Sequence, residues 1–150
     1  MKAQRGFTLV ELVVVMVLIA ALAGLGAAAI SSGLPGQQLR GAARGMAVEL
    51  RFARAQAIAT GREQTFEINV ADKRWISAGK REGTLPDDID IVATTAREEQ
   101  PERETAVIRF FPEGASTGGR VVLKHGDAAW RIDVGWLTGE VTLTRGEGRP

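Results

Sequence analysis

A chain of 150 residues with a formal net charge of +1 at pH 7 holds one domain of ordinary size with a membrane segment beside it, and its overall charge selects no partner. The absence of cysteine excludes a disulfide scaffold, thiolate metal sites and thiol nucleophiles, without fixing the compartment. A single histidine supplies the commonest metal ligand and general base only once, and the apolar residues are concentrated in the first 30 positions.

The first predicted element is an apolar helix. From Leu12 to Ile30, a stretch of 19 residues, no side chain is charged. As a helix this stretch would be roughly 29 Å long at about 1.5 Å per residue, close to the ~30 Å hydrocarbon core of a bilayer. Counting from Phe7 leaves a margin for tilt. Lys2 and Arg5 precede the run, which by the positive-inside rule leaves the N-terminus cytoplasmic and everything after Ile30 outside. A single-pass protein with an exported body follows. Two plain alternatives are a secretory signal peptide cut after Ala21-Leu22-Ala23 and an uncleaved anchor. Neither accounts for Glu11, because a carboxylate costs about 2.5–3.5 kcal/mol at mid-bilayer and less near an end.

The stretch Gly6-Phe7-Thr8-Leu9-Val10-Glu11 lies behind a basic leader and ahead of an unbroken apolar helix. It resembles the processing site of type IV pilins and type II secretion pseudopilins. The resemblance implies cleavage by prepilin peptidase between Gly6 and Phe7 and N-methylation of Phe7 as the new N-terminus. Glycine suits such a cut because no side chain obstructs the protease at the backbone. The resemblance also gives Glu11 a role, since the family's glutamate pairs with the N-terminal amine of a neighbouring subunit. A buried charge is costly alone and much less so in a pair. The carboxylate would therefore reward docking into a filament in one axial register. Ala20, Gly24 and Ala28 recur at every fourth position, a small-residue face that permits close helix packing in membranes. The same residues are equally at home as filler in a lenient helix.

Ser31-Ser32-Gly33-Leu34-Pro35-Gly36 breaks the apolar pattern, and Pro35 is expected to kink or interrupt the helix. A second helical reading runs from about Gln37 to Thr60. Leu39, Ala43, Met46, Leu50, Ala53 and Ala57 form one apolar stripe, and Gly61 is a natural stop. Arg40, Arg44, Arg51 and Arg54 lie mostly off the stripe, either as a docking face for an acidic partner or lipid headgroups or as a solvated flank. Gly41 and Gly45 lower the helix propensity and permit a bend.

After Gly61 the period changes from helix to strand. Phe66, Ile68 and Val70 alternate with Thr65, Glu67 and Asn69, and Ala71-Asp72-Lys73 turns into Arg74-Trp75-Ile76-Ser77, a hairpin. Leu85 to Val92 reads as a strand, Thr94 to Glu104 as an exposed charged loop, and Ala106 to Phe111 as a strand. Pro112 to Gly119 is a long turn. Arg120 to Lys124, Trp130 to Val134 and Glu140 to Thr144 complete the sheet, with turns at His125-Gly126-Asp127 and Leu137-Thr138-Gly139. Hairpin connections imply antiparallel sheet packed on the amphipathic helix, an α+β class. The expected organisation is a leader over 1–6, a transmembrane and assembly helix over 7–30, its amphipathic continuation over 31–61 and a β-rich exported domain over 62–150.

The strings FFPEGASTGGRVVL and WRIDVGWLTGEVTL resemble the C-terminal half of the GspH/FimT group of minor pilin-like proteins. Positions 79–104 carry no such likeness. The resemblance implies a pilin-like fold and a structural minor pseudopilin of type II secretion, in a tip complex on a periplasmic filament that drives export. It implies other minor and major pseudopilins, prepilin peptidase and inner-membrane lipid as partners, a periplasmic C-terminal domain, and neither a cofactor nor a small-molecule substrate. The alternative is a FimT-like minor pilin of a type IV pilus that binds DNA through a basic tail. Here Arg145 and Arg149 flank Glu147, a poor match to such a tail.

Enzymatic chemistry finds little support in the side chains, and no catalytic constellation or metal site is expected. His125 has only Asp127 near it in sequence, which favours a plain surface histidine. Gly114 to Gly119 lacks the Gly-Lys-Ser/Thr ending of a phosphate cradle and reads as a hairpin turn. Asp87, Asp88 and Asp90 lack the spacing of a calcium-binding EF-hand and read as a solvated acidic loop. Trp75, Trp130 and Trp136 are expected in core or sheet packing, with any exposed one marking a contact surface.

Overall fold

The computed structural model describes residues 9–95 and 105–147, with backbone alone for 24–35 and 147. The leader, Gly6, Phe7 and most of the acidic loop (96–104) lie outside the described residues. The chain divides into two compact units, Met1–Pro35 and Gly36–Pro150. Helix α1, Leu9–Thr60, contributes to both.

In the first unit the side chains from Leu9 to Ala23 are exposed all round, Leu9 at 81% and Leu22 at 68%. Among the described residues no helix is long and apolar enough to cross a membrane. The side chains over 24–30 of the expected span lie outside that description. The expected interruption at Pro35 is absent, because α1 keeps helical backbone from 31 to 36. Proline removes one donor, and the helical bonds of the turns on both sides remain to hold the chain.

The second unit is built on the other half of α1. Leu39, Ala43, Met46, Leu50, Ala53 and Ala57 are each no more than 1% exposed, so the periodic stripe is the face that meets the sheets. The helix ends at Thr60, followed by Gly61 at φ 62°, the left-handed position that commonly closes a helix.

Among the described residues eight strands make two antiparallel sheets. The first sheet has the order β3 (Arg81–Thr84), β2 (Arg74–Ser77), β1 (Gln64–Asn69), β5 (Thr105–Phe110). The second has the order β4 (Asp90–Thr95), β6 (Gly119–His125), β7 (Ala128–Val134), β8 (Val141–Glu147). Phe66 and Ile68 of β1 are fully buried, as their alternation requires. The β1–β2 turn is locked by Asn69, whose Oδ1 accepts from the Asp72 amide at 2.9 Å. Trp75 stacks on Phe66 with centroids 5.6 Å apart.

Three segments differ from expectation. Leu85 to Ile89 is a loop with both ends buried, not part of a strand, because Pro86 has no amide to give a ladder and its carbonyl instead accepts from Ile89 in a tight turn. Beside β2 lies β3, whose polar Arg-Glu-Gly-Thr sequence carries no apolar alternation and pairs as an edge strand. The turn at 112–118 also differs from a simple hairpin, since it carries the chain from the first sheet to the second. Thr94 and Thr95, expected in the loop, finish β4.

Candidate functional site

Glu11 stands in the first turn of α1, where the positive end of the helix dipole favours a carboxylate. Ala20, Gly24 and Ala28 share helical backbone at i, i+4 spacing, which puts them on one face. Gly6 and Phe7 lie outside the described residues.

In the second unit three of the four arginines off the apolar stripe make contacts with the sheets and turns, while Arg44 is exposed. Arg51 donates to the carbonyl of Val141 at 2.9 Å, and Arg54 Nε donates to the carbonyl of Gly114 at 3.1 Å. The guanidinium of Arg40 lies 5.8 Å from the centre of the Trp130 ring. These three link the helix to strands and turns, although Arg40 and Arg51, like Arg44, keep exposed side chains as a solvated flank does.

On another side of α1, Glu49 is the acid within 37–60 and is 8% exposed. Its Oε1 meets Arg81 at 2.6 Å, while its Oε2 is buried with no hydrogen-bond partner among the described residues. Arg81 reaches it by lying 4.6 Å over the ring of Phe52, after Gly79 and Lys80 both take positive φ. Sequence reasoning missed this clasp. The available signal was a lone acid within 37–60, where the other charges are all arginine.

His125 is a surface residue that links two turns. Its Nδ1 is 2.7 Å from the carbonyl of Asp88 and 3.4 Å from that residue's carboxylate. Lys73 donates to the carbonyl of Asp87 at 2.6 Å and lies 3.8 Å from Asp90. The three aspartates are thus engaged by two cationic or neutral donors, and among the described residues no three acids or histidines gather to hold a metal.

The two strings that drew the resemblance meet in space. The Ser116 amide donates to the carbonyl of Trp136 at 2.9 Å and its hydroxyl to that of Gly135 at 3.0 Å. The Gly139 amide closes the 135–139 turn onto Gly135 at 2.8 Å. Gly139, at φ 61°, packs against Gly114, and a β-carbon there would run into the Gly114 carbonyl oxygen and come within 2.9 Å of Arg54 Nε. The interlocked turns hold Trp136 outward at 70% exposure and Leu137 at 67%. Trp136 therefore departs from the packing expected of it, while Trp75 and Trp130 are half-buried against the core. The indication was in its neighbours: Gly135, Thr138 and Gly139 form a turn that leaves a tryptophan nothing to pack under.

Residues 42–139 match the family described as type II transport protein GspH, and residues 1–27 match the prokaryotic N-terminal methylation motif. The chain is 46% identical over 140 residues to the type II secretion system protein H of Xanthomonas campestris pv. campestris, covering 93% of this chain and 83% of that protein. Its fold is similar to that of the minor pseudopilin EpsH from the type 2 secretion system of Vibrio cholerae, with a TM-score of 0.59 and 15% identity over 72% of this chain and 97% of that one. The type IV minor pilin FimU of Pseudomonas aeruginosa is similar at a TM-score of 0.56 and 13% identity, over 72% and 89%.

Proposed function

The chain belongs to the type II transport protein GspH family, and from that membership we propose that it works as a minor pseudopilin, a structural subunit of the pseudopilus tip that helps export folded proteins. The observation that carries this reading is one chain bearing both the methylation motif, over 1–27, and the GspH match, over 42–139. Prepilin peptidase removes residues 1–6, and Phe7 becomes the methylated N-terminus. Residues 7–30 anchor the subunit once in the inner membrane with the leader on the cytoplasmic side. Residues 31–61 carry the helix into the periplasm, and 62–150 form the body that neighbouring subunits contact.

Within this reading Glu11 meets the N-terminal amine of the next subunit, with Ala20, Gly24 and Ala28 letting the helices approach closely. The protein's work is positional, and no catalytic step is assigned to it. The test is co-purification of the full chain from its native membranes with the other minor pseudopilins. Wild-type protein is expected to bring them down, and Glu11→Leu to insert normally yet lose them. Wild-type protein recovered without them would refute the reading.

A further inference from the structure

The 135–139 turn has features of a built contact surface. Trp136 and Leu137 are the most exposed large apolar side chains of the second unit among the described residues. Their backbone is fixed by the bonds from Ser116 and by the Gly114–Gly139 contact, so little freedom is lost when they are covered. A rigid, exposed tryptophan is the residue type that most often dominates a protein interface.

The surroundings decide what fits. Beside Trp136 an open groove of about 680 Å³ is floored by Arg120 and Asp133, which meet at 2.6 Å; Arg131 holds the other carboxylate oxygen at 2.8 Å. Those charges are largely satisfied within the sheet. At the junction itself Glu113 precedes Gly114 and Glu140 follows Gly139, both exposed, and neither is in an ion pair among the described residues. Arg54, the nearby cation, is part-buried with its Nε committed to the Gly114 carbonyl. The apolar pair is therefore bordered by carboxylates. A twofold contact centred on this turn would bring these carboxylates close to their own counterparts, which disfavours self-association there.

We infer that the Trp136–Leu137 turn docks a different protein whose contact face carries an apolar anchor flanked by lysine or arginine. The cation meets Glu140 and Glu113 and lies over the indole, while the apolar group covers Leu137. The inference stands on this surface alone and survives if the pseudopilus reading fails.

The test places a photo-crosslinking p-benzoylphenylalanine at Leu137 of the full chain in its own host and sequences the crosslinked peptide. Attachment to another protein, within a segment bearing Lys or Arg beside an apolar residue, is expected. Glu140→Lys should lower the yield about fivefold, as a repulsive rim charge does. Because Glu140 is exposed, that variant is expected to melt with the parent, which separates lost docking from lost folding. The inference is overturned by a product made of two copies of this chain, by attachment to an acidic segment or a glycan, by an unchanged yield in Glu140→Lys, or by no product above the same probe at Lys80.

Discussion

The two units of this chain treat apolar surface in opposite ways. In the second, Leu39, Phe66, Ile108, Leu123 and Ile132 are all at 0% exposure, and Arg40, Arg51 and Arg54 of α1 meet backbone carbonyls or an aromatic ring. In the first, Val10 is 70% and Met16 65% exposed on a helix that also carries Glu11. The second unit completes its core within one chain. The first is built from side chains whose natural surroundings are lipid and other helices. The difference teaches that folding is lodged in the body, and under the proposed function it leaves the helix-to-helix part of assembly to the N-terminal helix.

Substitutions in the body should move stability in proportion to what they uncover. Phe66→Ala empties a fully buried site stacked on Trp75 and is expected to cost about 4 kcal/mol in denaturant unfolding. Gly139→Val forces a branched side chain into a positive-φ position against Gly114 and Arg54, with an expected loss of about 3 kcal/mol. Arg81→Ala leaves the buried Glu49 carboxylate without its cation; because Arg81 is itself half exposed, a loss of about 1–2 kcal/mol is expected, largely recovered when Glu49→Gln is added. His125→Gln touches only a surface clasp and should stay within about 0.5 kcal/mol. Glu11→Leu should leave unfolding of the body unchanged while abolishing assembly. A large loss of body stability from Glu11→Leu, or normal assembly, would break the division between the units.

Most of the fold was legible because burial follows period. The α1 stripe from Leu39 to Ala57 and the alternation at Phe66 and Ile68 emerge as core because a helix face and a strand face leave those side chains no other place. Edge strand β3 was illegible, since an edge needs only backbone partners and Arg81-Glu82-Gly83-Thr84 advertises none. Pro35 does not interrupt the helix because proline's cost is local, while the helix has bonds on both sides of it. For the N-terminal site, Gly6, Phe7 and Glu11 are readable as a linear motif, since a protease reads a linear segment. The interlock of Gly114 with Gly139, and the outward tryptophan it fixes, needs two strings of sequence brought together in space, which no local pattern reveals.

The division between units depends on the N-terminal helix beginning where a processed subunit begins. The most direct measurement is the mass of the N-terminal peptide of the protein isolated from its host's membranes. A start at N-methylated Phe7 is predicted. A start at Met1, or at Gly24 after signal-peptide removal, would contradict the account.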